Sequence, residues 1–142
     1  MLTEHDSHCT SLLSSDPQEG GFQLYSSVPA ATTTKLPSST TFAQAAVLPL
    51  GLDTAAQGLY DSRDKGFMGL EYPSLNPKPS GKTIVVYGGS SSVGSQAIML
   101  ATASGAKVIA VASEHNFDFC KSLGAEAVRL ADHSCFILKS PH

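Results

Sequence analysis

The sequence is poor in charge, in cysteine and in long apolar runs, and each shortage removes a class of function. Charged residues make up 15% of the chain and the net charge is -3. No basic field is therefore available to hold nucleic acid or an anionic membrane surface. The apolar runs are short and punctuated, which argues against a membrane span. Three cysteines, Cys9, Cys120 and Cys135, lie far apart and give neither a disulfide framework nor a zinc spacing. Residues 1–16 carry Glu4, His5, Asp6, His8 and Asp16 among serines. They lack the basic start and apolar centre of a secretory signal, so a soluble cytoplasmic protein is expected. His5, His8 and Cys9 are spaced like a metal clip, but no second shell can be argued for them, and a solvated stretch is the expectation.

What is present is a stretch of unusual organisation, Thr83-Ile84-Val85-Val86-Tyr87-Gly88-Gly89-Ser90-Ser91-Ser92-Val93-Gly94. A β-branched run breaks into small residues and then resumes with helical character from Val93 to about Ala103. Strand, tight turn and helix form the first half of a βαβ unit. Small residues let a phosphate approach the backbone, and the N–H groups opening the helix then face the anion, aided by the helix dipole. Against G-x-G-x-x-G, Gly89 and Gly94 fill the first and third glycine positions and Ser91 replaces the middle one. That serine narrows the approach yet can donate its own hydroxyl. The pattern by itself suits a nucleotide site or a structural turn. Its surroundings favour the nucleotide: Gly105 stops the helix, and Lys107 to Ala112 reads as a second, buried strand within roughly 30 residues. Ser80-Gly81-Lys82-Thr83 imitates the end of a P-loop, but it precedes the strand instead of following it, so a turn is expected there.

Residues 88–97 resemble the nucleotide turn of medium-chain dehydrogenase/reductases, in the zinc-independent branch of enoyl reductases and quinone oxidoreductases. The likeness is strongest to fungal trans-acting enoyl reductases of polyketide pathways. Three further segments agree in order. Glu19 to Tyr25 resembles the family's GAFQEY strand, and Phe42 to Leu50 with Thr54-Ala55-Ala56 resembles its paired helices. Ser113 to Asp118 with Lys121 to Ala125 resembles its SPHNFD…KSLGA segment. The resemblance covers about residues 19 to 128.

The resemblance implies an α/β fold: a partial Rossmann domain, with a doubly wound parallel sheet, behind a short remnant of a barrel-like, GroES-like catalytic domain. The division expected is a disordered leader at 1–19, the remnant at 20–36, the partial NAD(P)-binding domain at 37–130 and a divergent tail at 131–142. Family members are more than twice as long, so a truncated chain is expected. Within the frame, Gly21 to Val28 alternates like a strand, and Thr33 to Leu36 is strand-like at most. Thr40 or Thr41 can cap a helix over Phe42 to Leu48, with a second helix from Gly51 to Tyr60. Residues 61–80 read as a long loop that hides a short helix or moves. Residues 82–130 are expected to form three parallel strands, with helices 92–104 and 116–123 on one face.

NAD-selective enzymes place an acid at the end of the second strand, about 20 residues past the turn. Here that position is Ala112. A small neutral site leaves room for a 2′-phosphate, with Ser113, His115 and Asn116 as donors, so NADP(H) is the expected cofactor. Glu114 is the complication, expected past the strand end and in solvent, as is Lys121. The cofactor site expected comprises Gly89, Ser90, Ser91, Ser92, Val93, Gly94, Ser113, His115, Asn116 and, by resemblance, Thr54. Thr54 reads equally well as a helix-interior threonine bonded to the preceding turn. No catalytic residue and no metal set is identifiable. The resemblance implies hydride transfer to a small-molecule or carrier-bound enoyl substrate, or a quinone-like acceptor, with a polyketide synthase as partner. A non-catalytic nucleotide-binding remnant or an unstable fragment is the alternative.

Overall fold

A computed structural model describes residues 8–10, 16–20 and 23–130, the side chains of 8–10 excepted. The chain divides into two compact units, Met1–Thr54 and Ala55–His142. The expected divergent tail at 131–142 lies outside the described residues, as do the side chains of the His5, His8 and Cys9 spacing.

In the first unit, β1 (His8–Thr10) pairs antiparallel with β2 (Thr33–Lys35), His8 opposite Lys35. Pro17–Glu19 forms a 3-10 turn whose Asp16 carboxylate accepts from the N–H of Gln18 at 2.9 Å. Both features lie within the stretch expected as a leader, residues 1–19. The strand expected over 21–28 is absent from its described part, residues 23–28. That segment folds back on itself: Ser26 Oγ donates to the Gly20 carbonyl at 2.6 Å and Ser27 N to Gln18 O at 2.9 Å. Alternation makes a strand only where a neighbouring strand accepts the ladder, and here the side chains of Leu24 and Tyr25 stay exposed.

The helix α1 (Phe42–Ala46) starts as expected. Thr41 Oγ1 accepts from Gln44 N at 3.3 Å while Gln44 Oε1 accepts from Thr41 N at 3.0 Å, a capping box. It ends two residues earlier than expected because Pro49 disfavours a helical Leu48. The proline instead opens α2 (Pro49–Tyr60), a position its fixed φ suits.

The second unit holds the core. Strands β3 (Thr83–Tyr87), β4 (Lys107–Ala112) and β5 (Ala127–Leu130) pair in parallel, in the order β3-β4-β5. Thr83 lies opposite Lys107 and Ile109 opposite Ala127. Crossovers run through α3 (Ser92–Ala103) and α4 (Phe117–Ser122), the latter entered by a 3-10 turn at Glu114–Asn116. Strand alternation sends Ile84, Val86, Val108, Ala110, Ala112 and Val128 into one buried layer with Ile98 and Ala101 of α3 and Cys120 of α4. Ile98 and Cys120 converge on the same glycine, Gly89, so both helices cover one face, as expected. On the other face Val85 is 64% and Tyr87 56% exposed.

The long connection is anchored. It holds a 3-10 turn at Arg63–Lys65, buries Leu70, and hydrogen-bonds through Ser74 N to Ala103 O and Ser80 N to Gly105 O, each at 2.8 Å. Gly105, at φ +75°, closes α3 where a side chain would run into the Lys78 carbonyl. Residues 80–82 lead into β3 as irregular chain instead of the expected turn, with Gly81 at φ +69° and Lys82 N donating to Ser80 Oγ at 3.3 Å. Tyr60 reaches α3, its hydroxyl 3.2 Å from the Leu100 carbonyl and 3.0 Å from Ser104 Oγ.

Candidate nucleotide-binding site

The turn between β3 and α3 is built on three glycines, and each has a separate reason. Gly88 takes φ +74°, a region that favours glycine. The N–H groups of Gly88 and Gly89 both donate to the Val111 carbonyl, at 2.9 and 3.0 Å, which ties the turn to the end of β4. Gly89 is buried: a Cβ there would stand 3.0 Å from Ala110 Cβ, 3.1 Å from Ile98 Cδ1 and 3.2 Å from Cys120 Sγ. Gly94 faces the Gly88 carbonyl so closely that a Cβ would overlap that oxygen. This is the packing of helix against strand for which the third motif glycine is needed. Gly88 was not among the expected site residues, although the doubled glycine ending the strand was its signal.

Ser91, in place of the middle glycine, caps α3. Its Oγ accepts from Gly94 N at 3.1 Å, and its own N–H donates to Gly88 O at 2.9 Å. Accepting with the oxygen leaves the hydroxyl hydrogen to be donated outward. The N–H groups of Ser92 and Val93 belong to the first helical turn and have no partner within the helix. The structure thus places Ser90, Ser91, Ser92 and Val93 at one helix start, between two glycines that hold its shape.

The end of the second strand comes to the same place. Asn116 Nδ2 donates to Ser90 Oγ at 3.2 Å and lies 3.1 Å from His115 Nε2. Ser113 and His115 are exposed beside them. Ala112, where an acid would bind a ribose 2′-hydroxyl, is buried and carries no charge. Glu114 and Lys121 are exposed.

Thr54 stands in the first unit, and its Oγ1 donates to the Leu50 carbonyl at 2.8 Å within its own helix. Beneath the turn, desolvation pushes the buried Cys120 thiol above its ordinary value of 9.0, which suits packing rather than nucleophilic work. Among the described residues no group of three or more His, Cys, Asp or Glu is placed to hold a metal ion. Among them, too, no helix is long and apolar enough to cross a membrane.

The chain is similar in sequence and in fold to known oxidoreductases. The chain is 51% identical over 121 residues to the trans-enoyl reductase himH of Aspergillus japonicus, which covers 85% of this chain and 34% of that protein. It is 43% identical over 94 residues to a zinc-type alcohol dehydrogenase-like protein of Schizosaccharomyces pombe, covering 64% and 26%. The chain spans about a third of the length of the curated relatives it matches. Among solved structures, a mycobacterial protein complexed with NADPH matches at a TM-score of 0.56 and 27% identity, covering 75% of this chain and 29% of that one. An NAD-dependent alcohol dehydrogenase matches at 0.58 and 32%, covering 75% and 28%. No protein-family profile matches the chain.

Proposed function

Because the chain belongs to the medium-chain dehydrogenase/reductase superfamily, among its enoyl-reductase-like members, we propose that it supplies the coenzyme-binding part of an NADPH-dependent enoyl reductase. The acceptor proposed is an enoyl thioester, small or carrier-bound, or a quinone-like molecule, and a polyketide synthase is the partner proposed. The observation that carries the reading is the turn from Gly88 to Gly94. Gly89 is closed in by Ala110 and Ile98 and Gly94 by the Gly88 carbonyl, while Ser91, Ser92 and Val93 between them are exposed. That arrangement fits a pyrophosphate. Bound there, the coenzyme supplies the hydride; the chain's own residues bind and orient it.

The preference for NADPH rests on what stands at the end of β4. Ala112 offers no carboxylate to a 2′-hydroxyl, and Ser113 and His115 stand exposed where a 2′-phosphate would come. Thr54 is kept as the proposed contact for the nicotinamide half, in competition with its bond to Leu50.

One observation favours a second reading, nucleotide binding without catalysis. On one face of the sheet Val85 is 64% exposed, whereas parallel sheets ordinarily have both faces covered. Calorimetric titration of the purified chain tests binding: NADPH is expected to bind more tightly than NADH. Equal affinities would move the preference from Ser113 to Glu114. NADPH oxidation with crotonyl thioesters and small quinones separates the two readings. No turnover is expected of this chain by itself, since hydride transfer needs nicotinamide and acceptor held at near-attack distance. Saturable turnover, lost on Gly89→Val, would show that these residues suffice for catalysis.

A further inference from the structure

The side chain of Asn116 is in an unusual posture for its place. It is the residue preceding α4, at φ -103° and ψ 6°, where asparagine ordinarily turns back to accept from the new helix's N–H groups. Here it makes no such bond. Its amide nitrogen instead reaches 26 positions along the chain to Ser90 Oγ, at 3.2 Å, and lies 3.1 Å from His115 Nε2. Ser90 and Asn116 are both half-buried, while His115 is exposed.

The chemistry of that amide decides the state of both neighbours. Nδ2 carries two hydrogens and no lone pair to offer. Ser90 Oγ therefore accepts, and its own hydrogen must point elsewhere. In the tautomer that carries the ring proton on Nδ1, His115 Nε2 accepts as well. In that tautomer one amide leaves the Ser90 hydroxyl and the His115 Nδ1–H able to donate, the form a phosphate oxygen requires. It also joins the loop after β4 to the pyrophosphate turn.

Building on the proposed NADPH site, we infer that Asn116 is a positioning residue rather than a phosphate contact. It holds Ser90 and His115 as donors and so sets the preference for the 2′-phosphorylated coenzyme. Its amide with the opposite orientation, oxygen toward Ser90, would take both hydrogens and leave the phosphate two lone pairs. The substitution Asn116→Asp imposes that state in nearly the same volume, and Asn116→Ala removes the tie.

The experiment uses the full chain, with circular dichroism to confirm that each variant folds. Nitrogen-15 NMR of the His115 ring, without coenzyme, should show the proton on Nδ1 in the wild type and its release from that tautomer in Asn116→Ala. Titration with NADPH and NADH should show the ratio of their affinities falling about tenfold in Asn116→Ala, the scale of one charge-assisted hydrogen bond. In Asn116→Asp the ratio should fall further, toward NADH. A merely structural asparagine would weaken both coenzymes together and leave the ratio unchanged; that result, or an unaltered tautomer, overturns the inference. A wild type that binds neither coenzyme would instead remove the nucleotide reading on which the inference stands.

Discussion

The two units of this chain are built from similar material to very different effect. In the first, α1 buries only Ala45 and leaves Phe42 71% exposed, and Leu24, Tyr25 and Leu50 also lie open. In the second, a continuous layer runs from Leu59 and Leu70 through Ile98 and Val108 to Val128. The difference is topological. A βαβ unit stacks each strand's alternate residues under a helix, so every added element covers the last. The two-residue-period pattern of β3 and β4 finds such a cover, whereas in β2 Thr33 is only half-buried and Thr34 and Lys35 are exposed. The lesson is that the candidate site rests on packing, while the first unit rests mainly on local hydrogen bonds.

The substitutions that would break this contrast are those in the covered layer. Ile98 is fully buried between sheet and helix. Ile98→Ala should cost about 2–5 kcal/mol, loss of contacts plus a cavity. Phe42→Ala, on a larger but exposed side chain, should stay within about 0.5 kcal/mol. Urea unfolding followed by far-UV circular dichroism checks both. Equal losses would mean that the first unit's apolar side chains are buried in a way the structure does not record.

Next in size is Gly94→Ala. The added methyl would overlap the Gly88 carbonyl, and neither backbone can retreat without pulling α3 off β3. Overpacking of that kind costs about 1–3 kcal/mol. Coenzyme affinity should fall by more than the stability loss explains, because the N–H groups of Ser92 and Val93 would be displaced with the helix. Calorimetric titration beside thermal unfolding separates the two losses.

Much of the second unit was legible in its sequence, and the reasons are physical. The runs Thr83 to Tyr87 and Lys107 to Ala112 are rich in β-branched residues, the first is followed by Gly88 and Gly89, and Gly105 and Gly124 stop the helices. These signals are local. The β1 strand could not be read, because it is short and polar and is defined only by a partner some distance along the chain. Gly21 to Val28 carried the alternation without the partner. The bond from Asn116 to Ser90 belongs to neither segment alone; it exists because β3 and β4 are neighbours, which brings the ends of both strands together. Likewise Ser91 could be recognised as a substitute for glycine, but its work as a cap is visible only in the geometry.

Two caps of like chemistry sharpen the comparison between the units. Thr41→Ala removes the capping box of α1, and Ser91→Ala removes the bond to Gly94 at the start of α3. Each should cost about 0.5–2 kcal/mol where the helix is coupled to global folding. For Thr41 the loss should appear as local fraying of a short exposed helix, with little change in the unfolding midpoint. For Ser91 it should move the midpoint and weaken coenzyme binding. Hydrogen exchange at Gln44 and Gly94, read with thermal unfolding, distinguishes local from global loss.

The smallest effect expected in the second unit is that of its surface charge. Lys107 Nζ lies 3.5 Å from Glu126 Oε1, joining the starts of β4 and β5, and both side chains are more than half exposed. In water an attraction between such groups is opposed by the entropy of holding two long side chains, and salt screens what remains. The backbone already fixes the register there, through Lys107 N to Lys82 O at 2.9 Å and Glu126 N to Val108 O at 2.8 Å. A double-mutant cycle with Lys107→Ala and Glu126→Ala should therefore give a coupling of no more than about 1 kcal/mol, falling toward zero in 1 M salt. A coupling that is larger, and that survives salt, would place this pair among the interactions that hold the sheet. The contrast between the units would then rest on charge as well as on buried apolar surface.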